Sequence, residues 1–200
     1  MRLSTLVASI ALVAAVTPGC SSGTPDSSLK SRLVTVTVVH ENTDKTITVN
    51  RYWATPEEVA RATKAAQEGV LDDAIHPAAV QPPPSIVGEG SESVAQTSSA
   101  ISSVTCGSST FHLYDLTGCT GNVICFDGAG SADLTTYYDW LCDDWGNCWQ
   151  SMWSNEAYSF ASGTRGGYLL NTTWGHAQYF NGNQSCTNTA YVPRQGLTLY

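Results

Sequence analysis

Basic residues are scarce in this sequence. Nine Lys and Arg stand against 17 Asp and Glu, which gives a formal net charge of −8. If Arg2 is lost with an N-terminal leader, eight remain against 17 and the charge is −9. Because nucleic acids are bound through a positively charged face, this balance predicts that the protein has no nucleic-acid partner, and it argues against electrostatic attachment to anionic lipid.

Long apolar runs are also missing. The run over residues 6–16 is too short to span a bilayer, which takes about 20 residues, but it suits the core of a signal peptide. Residues 1–19 are therefore predicted to be a signal peptide. No later run is long enough to cross a membrane.

The end of this run resembles a bacterial lipoprotein signal. The small residue Gly19 precedes Cys20, and two serines follow. The resemblance implies that Cys20 carries lipid and attaches the protein to the cell envelope, at its outer face or in the periplasm. The alternative is plain secretion, with cleavage after a small residue such as Ala15.

The cysteine pattern also indicates export. Beyond Cys20, six cysteines lie in the last 95 residues: Cys106, Cys119, Cys125, Cys142, Cys148 and Cys186. Six cysteines in an exported domain predict three disulfides, with fifteen possible pairings. The two close pairs, Cys119 with Cys125 and Cys142 with Cys148, are read as disulfide cysteines that pair locally or crosswise.

The N-terminal half predicts small units joined by linkers. Residues 20–32 read as a flexible tether, and residues 33–71 as a β-hairpin plus a helix. The helix should begin at Pro56, capped by Thr55, and end near Glu68, with Glu57 and Arg61 paired on its surface. So small a piece is expected to be a stalk or satellite. Residues 72–105, rich in Pro and Ser, read as a linker.

Residues 106–200 are different in kind. They hold 17 of the 19 aromatic residues and nine charged ones, and Gly, Asn and Asp recur at short intervals. This pattern predicts a mainly β domain of many short strands. Its clearest unit is a hairpin over residues 111–127 whose turn carries Gly118 and Gly121.

Two segments of this domain resemble the Greek-key signature of βγ-crystallins, aromatic-x4-aromatic-x-Gly. The first is Tyr114-x4-Cys119-x-Gly121, and the second, 46 residues later, is Phe160-x4-Arg165-x-Gly167. The resemblance implies a disulfide-bonded, crystallin-like Greek-key sandwich, with Gly121 and Gly167 at positive φ in the two hairpin turns.

Many crystallin-like domains bind calcium through a short Asn/Asp-to-Ser segment in each repeat. Here only Asn147 and Ser151 of the first segment match, and the corresponding place in the second repeat retains neither. Calcium takes six to eight oxygen ligands, which is more than these segments supply, so we predict no cofactor. The residues that could contribute oxygen ligands to a weak calcium site are Asp127, Asp133 and Ser151.

In length, disulfide density and export, the domain is also similar to small secreted bacterial metallopeptidase inhibitors. That resemblance implies a peptidase partner. Arg165, in the loop over residues 163–167, is a candidate contact, and its alternative role is simply that of a hairpin turn.

Catalytic patterns are missing. The sequence has no Gly-x-Ser-x-Gly motif and no Cys or His spacing typical of zinc ligands. His112 alternates with Phe111 and Leu113, which predicts a solvent-facing position. The carboxylates of Asp143, Asp144 and Glu156 could be nominated for glycoside hydrolysis, but nothing selects them, and we predict that the protein is not an enzyme.

Four tryptophans surround the second close cysteine pair. Trp149 and Trp153 are expected to fill the core, whereas Trp145, beside Asp144, could contact a ligand. The leading hypothesis is a non-enzymatic surface protein that binds or inhibits another protein, with a peptidase as one candidate. The alternatives are an envelope polysaccharide-binding module at the Trp145 loop, a purely structural envelope protein and, weakest, an unrecognised hydrolase.

Overall fold

The computed structural model describes residues 33–70, 73–79, 106–143, 145, 147–190 and 193–200. The predicted signal peptide, Cys20, the tether, most of the predicted linker and Asp144 lie outside the described residues. The described chain is mainly β, as predicted, and contains three disulfides.

The N-terminal elements form where their local signals place them. Strands β1 (Val34–Glu41) and β2 (Ile47–Ala54) pair as an antiparallel hairpin. Helix α1 (Pro56–Glu68) begins after Thr55, whose side chain accepts a hydrogen bond from the Glu58 N–H, and it ends at Gly69 in the left-handed conformation. The predicted pairing of Arg61 with Glu57 is wrong, because Arg61 instead bonds Glu58 and Asp73.

The remaining strands form two sheets and one two-stranded ribbon. Six strands in the order β11-β8-β3-β4-β1-β2 make the first sheet, four in the order β10-β9-β12-β5 make the second, and β6 pairs with β7 alone. A four-residue helix, α2 (Trp153–Glu156), follows the ribbon. The strand bounds are β3 (Phe111–Tyr114), β4 (Val123–Asp127), β5 (Gly130–Asp133), β6 (Tyr138–Cys142), β7 (Cys148–Met152), β8 (Ser159–Ala161), β9 (Gly167–Asn171), β10 (His176–Phe180), β11 (Thr187–Asn188) and β12 (Gly196–Leu199).

Two groups of four strands share one arrangement. In the first group, β8 lies beside β3, which pairs with β4, while β5 belongs to the second sheet. In the second group, β12 lies beside β9, which pairs with β10, while β11 belongs to the first sheet. The third strand of each group is therefore exchanged between the sheets, which links the two groups into one body.

Apolar side chains fill both faces of the first sheet. Between the two sheets, Phe111, Phe160 and Phe180 stack with ring centroids 5.0–5.7 Å apart, and Trp153 is fully buried beside them. Such aromatic pairs contribute about 0.5–1.5 kcal/mol each beyond their area. On the opposite face, a second cluster joins β1 and β4 to the apolar side of α1.

The N-terminal hairpin and helix are not a satellite, so that expectation is wrong. Strand β1 pairs in parallel with β4, from Val36 opposite Val123 to His40 opposite Asp127. Its side chains Val36 and Val38 are fully buried. The thin apolar face of α1 suffices because it covers a sheet rather than a lone hairpin.

The start of the predicted linker is also built into the fold. Ile75 is fully buried, Ala74 forms a β-bridge with Gly107, and the Ala78 N–H donates to the Trp53 carbonyl at 2.7 Å. Residues 73–79 therefore belong to the domain, although their composition predicts a spacer.

The disulfides combine one local and two long-range pairings. Cys142 bonds Cys148 across six positions, whereas Cys106 bonds Cys125 and Cys119 bonds Cys186. The last closes 67 residues of chain and joins the β3–β4 turn to the segment before β11. Its loop-closure contribution is about 4 kcal/mol, compared with about 2 kcal/mol for the six-residue loop.

The second signature segment does not mark a hairpin turn, so this prediction is wrong. Phe160 lies in β8 and Gly167 begins β9, and these strands belong to different sheets. Gly167 is not at positive φ; a Cβ there would instead lie 2.1 Å from the Thr198 carbonyl oxygen of β12. The hairpin that corresponds to β3–β4 is β9–β10, further along, because the ribbon and α2 lengthen the first group.

Gly121 and Gly118 give a matched test of the β3–β4 turn. Both have positive φ, but a Cβ at Gly121 would lie 2.0 Å from Asp115 Oδ1, while one at Gly118 would meet nothing within 4 Å. Gly118→Ala should lower the free energy of unfolding by about 1–2 kcal/mol. Gly121→Ala should cost a further 1–3 kcal/mol or so from overpacking, measured by urea denaturation. Equal losses in the two variants would contradict the close approach.

Candidate functional site

The β6–β7 ribbon carries the described surface with the most exposed tryptophan. Five residue pairs, from Tyr138 opposite Met152 to Cys142 opposite Cys148, set its register. The Cys142–Cys148 disulfide closes the ribbon at the last pair. All but one of the β7 residues are exposed, so the ribbon presents this strand to solvent.

Asp143 fixes the loop at the tip of the ribbon. Its Oδ1 accepts hydrogen bonds from the N–H groups of Trp145, at 3.0 Å, and Asn147, at 2.8 Å. Its Oδ2 accepts from the Asn147 side-chain amide at 3.0 Å. A carboxylate that binds the backbone two residues on is typical of a tight turn. The disulfide and the hydrogen bonds of Asp143 thus hold a short loop on which Trp145 is 87 % exposed.

Asn122 fastens the root of the ribbon to the body. Its side-chain amide donates to Asp139 Oδ2 at 3.2 Å and to the Trp140 carbonyl at 3.0 Å. Its Oδ1 accepts from the Thr35 N–H of β1 at 2.7 Å, and its own N–H donates to Asp115 Oδ1 at 2.7 Å. One buried residue thus joins β1, the turn after β3, and β6.

Asp115 and Asp139 form a buried acid pair at this junction. Asp139 is fully buried and Asp115 is 6 % exposed, and Asn122 joins them, because its backbone N–H donates to Asp115 Oδ1 and its side-chain amide donates to Asp139 Oδ2. Burial raises the pKa of Asp115 to about 7. Burial also raises the pKa of Asp139 well above its usual range, and the neighbouring Asp115 charge raises it further. Two carboxyls in contact share a proton because both cannot ionise cheaply.

Glu156 of α2 adds to this effect, since its charge also raises the pKa of Asp115. Its Oε1 accepts a hydrogen bond from Ser151 Oγ of β7 at 2.5 Å. Both carboxyls of the pair are buried, and their hydrogen bonds to Asn122 connect the β3–β4 turn to the ribbon root.

The predicted calcium candidates have separate local partners. Asp127 bonds His40 Nδ1 at 3.0 Å, Asp133 Oδ1 accepts from the Thr135 N–H and hydroxyl, and Ser151 donates to Glu156. Within the described residues, no three His, Cys, Asp or Glu side chains are grouped so as to hold a metal ion.

Arg165 lies apart from the ribbon. It is half-buried, in the loop from β8 to β9, and its N–H donates to the Ser162 carbonyl at 3.3 Å. The preceding Thr164 is held to the Ser109 carbonyl by its N–H, at 3.0 Å, and its hydroxyl, at 3.1 Å. This loop packs on the segment before β3, so it is a connection between the sheets rather than a projecting hairpin.

His112 is buried, so its predicted solvent-facing position is wrong. Its Nε2 lies 2.8 Å from the Gly107 carbonyl and its Nδ1 3.1 Å from the Tyr114 hydroxyl, which in turn lies 2.7 Å from Thr63 Oγ1 of α1. Burial lowers the pKa of His112 to about 4, which keeps the ring neutral. With Nε2 as donor to Gly107, Tyr114 donates to Nδ1 and accepts from Thr63, and every polar group is paired.

The tryptophans divide between core and surface. Trp153 is fully buried, as expected, whereas Trp149 is 50 % exposed on β7, so its predicted core position is wrong. Asp115, Asn122 and Asp139 were not among the predicted site residues. Their spacing has no local signature, and only the pairing of distant segments brings them together.

A small cleft, with a volume of about 60 Å³, opens among β1, β4, β5 and β12. Its lining includes Val39, Phe126, Tyr137 and Leu197 but not the acid pair.

Within the described residues, no helix has the length and hydropathy needed to cross a membrane. No family model, curated protein or solved structure matches the chain.

The acid pair should make stability depend on pH. Because the folded pKa of Asp115 is raised from 3.8 to about 7 and that of Asp139 is raised well above 3.8, the folded state holds protons that the unfolded state releases. This contribution to stability is therefore fully present below about pH 4 and is lost as the pH rises to about 7, by on the order of 4 kcal/mol for Asp115. Asp139→Asn, which removes one carboxyl, should flatten this slope in urea denaturation at pH 4.5 and 7.5.

Asp133→Asn, at the exposed end of β5, is the control for loss of a carboxylate outside the buried pair, and the pH slope of this variant should match that of the wild-type protein. A wild-type slope in Asp139→Asn would contradict the assignment of the pH dependence to the buried pair.

Proposed function

We propose that this protein is an exported, non-enzymatic module that binds another protein through the β6–β7 ribbon, with a peptidase as the first candidate partner. The observation that carries the proposal is the disulfide-closed loop that holds Trp145 in solvent. Tryptophan is enriched among the residues that dominate binding energy at protein interfaces, and burying its apolar area against a partner would gain free energy.

The ribbon is pre-organised for binding. The Cys142–Cys148 disulfide and the three hydrogen bonds to Asp143 fasten the tip, while Asn122 and Asp139 fasten the root. Residues that are held by such bonds before binding lose less conformational entropy when a partner binds. Trp149, half-exposed on the same ribbon, extends the apolar contact area beyond the tip.

The scaffold is proposed to be a crystallin-like pair of interlocked Greek keys. Two features support this: in each four-strand group the fourth strand lies beside the first, and the third strand crosses to the other sheet. Gly121, at φ +84°, lies in the first hairpin turn. In this scheme the ribbon is an insertion in the first Greek key, and β1, β2 and α1 are additions to its sheet.

The absence of enzymatic activity is part of the proposal. It is supported by the closed position of Asp115 and Asp139, the two carboxyls with raised pKa, and by their separation from the small cleft. Catalytic acids and bases must reach the substrate proton that they transfer.

A polysaccharide partner is the second candidate. The exposed indole of Trp145 favours it, because an aromatic ring with one polar edge can stack on a sugar ring. Because the chain is acidic and would repel anionic polymers, neutral polysaccharides are the better candidates.

The three disulfides are consistent with an oxidising compartment outside the cytoplasm. Attachment of the protein to the cell envelope through lipid on Cys20 is part of the proposed function, and its support is the sequence of the N-terminal segment.

Trp145→Ala is the direct test of the ribbon. The purified full-length protein is assayed against thermolysin, a zinc peptidase, and subtilisin, a serine peptidase, and against insoluble neutral glucans, by pull-down and residual peptidase activity. The variant should weaken binding at least tenfold. Trp174→Ala removes another exposed tryptophan, on the β9–β10 turn, and should leave binding unchanged. Equal effects of the two substitutions, or none, would remove the ribbon as the site; binding to glucans alone would favour the second candidate.

Lipid attachment is tested by intact mass. The protein from the membrane fraction should carry a diacylglycerol modification at Cys20, and Cys20→Ser should move it to the soluble fraction. An unmodified Cys20, or a wild-type protein that is already soluble, would contradict the anchor.

A further inference from the structure

We propose that the outer edge of β7 takes up an extended segment of the partner as an additional β-strand. This inference rests on the proposed function, because it names how the ribbon engages a partner protein. It goes beyond that function by placing backbone hydrogen bonds, rather than the Trp145 side chain alone, at the interface.

The register of the ribbon shows which backbone groups point outward. Hydrogen-bonded and non-hydrogen-bonded pairs alternate along an antiparallel ladder. The Asp143 N–H donates to the Asn147 carbonyl at one end, and the Trp153 N–H donates to the Tyr137 carbonyl at the other, both at 3.0 Å. Counting inward from either end, the ladder uses the odd-numbered residues of both strands. The even-numbered residues, including Gln150 and Met152, therefore turn their backbone groups away from the ribbon.

The β6 side of the ribbon agrees with this count. Trp140, opposite Gln150, has outward-facing groups that are both occupied: its N–H donates to Asp139 Oδ1 at 2.8 Å, and its carbonyl accepts from the Asn122 amide. At Trp140 the β6 edge is thus occupied by bonds to the Asp139 side chain and to the body of the domain, and β7 forms the outer edge.

The β7 edge remains open in the described part of the chain. Strand β6 is the sole pairing partner of β7 there, and no described residue bonds the Gln150 N–H, the Gln150 carbonyl or the Met152 N–H. The Met152 carbonyl belongs to the cap of α2. Residues two apart on a strand are about 6.6 Å apart. Donor, acceptor and donor at this spacing match the backbone of an extended peptide.

The side chains of β7 do not protect this edge. Natural sheet edges are commonly blocked by charges, prolines or bulges, but Cys148–Met152 reads Cys-Trp-Gln-Ser-Met and contains none of these. Trp149 and Met152 are 50 % and 40 % exposed, so they can contact alternate side chains of an added strand. Strand addition takes affinity from the backbone and specificity from such contacts.

Met152 allows the edge to be tested without disturbing the ribbon. Its φ is −75°, which lies in the range that proline adopts, and its N–H is not used by the ladder. Met152→Pro therefore removes one outward donor, while Met152→Ala removes the side chain and keeps that donor. The pair of variants separates backbone from side-chain recognition.

The probe is a phage-displayed library of random twelve-residue peptides, selected on immobilised full-length protein. The selected peptides are then measured against Met152→Pro, Met152→Ala and Trp145→Ala. We expect Met152→Pro to weaken binding at least tenfold and Met152→Ala to weaken it less than threefold. In the unchanged protein, hydrogen exchange at the Gln150 and Met152 amides should slow when a selected peptide is added, which also tests the proposal if the proline variant is unfolded.

Equal binding to Met152→Pro and Met152→Ala, unchanged exchange at both amides, or no selected peptide would overturn strand addition. Strand addition and the proposed function can fail separately. If strand addition fails but Trp145→Ala abolishes binding to a partner protein, the ribbon remains the binding site. If Trp145→Ala leaves that binding unchanged, the proposed function fails as well. A wild-type dimer in light scattering that Met152→Pro converts to a monomer would make a second copy of this chain the occupant, and would overturn the proposed one.

Discussion

The position of the ribbon depends on the hydrogen bonds of one residue, Asn122. With its main-chain N–H it fastens the turn after β3, with its carbonyl oxygen it holds β1, and with its side-chain N–H groups it holds β6. The residue is buried, so loss of one bond would leave an unsatisfied group where water cannot replace it. Segments that are distant in the sequence are therefore joined at one residue, and the root of the ribbon is bonded to the body of the domain there.

The buried acid pair at this junction lowers the stability of the fold at neutral pH but fixes the position of the ribbon root. A buried acid pair is a costly way to fill space at neutral pH, because one carboxyl must stay protonated or the two charges must repel. In return, Asp139 and Asp115 offer acceptors that orient the Asn122 amide and the turn at Gly121. Catalytic sites and binding sites commonly retain locally unfavourable arrangements where a fixed geometry matters more than net stability. Here the retained geometry is that of the ribbon root.

Local signals predict the local structure well, and non-local structure poorly. Thr55, Pro56 and Gly69 mark α1 because capping is decided within a few residues. Alternation of apolar and polar residues does not predict the burial of His112, because it assumes a sheet with one solvated face and the first sheet is covered on both faces. It does not predict the acid pair either, since Asp115 and Asp139 come together only in the folded chain. The repeat spacing fails because it takes no account of an inserted ribbon, while the ribbon's own exposed Trp145 can be suspected from its place between two cysteines.

The parallel contact between β1 and β4 has a consequence for how the protein reaches its folded state. Thr35 and Asn122 are 87 positions apart, so a chain that emerges with its N-terminal side first exposes β1 long before its neighbour exists. That strand reads Val-Thr-Val-Thr-Val-Val over its first six residues, with high β-propensity and no charge, which is the composition of segments that aggregate. Until the later strand arrives, the nearest match for its open edge is the same strand of another copy, and productive folding requires that such copies stay apart.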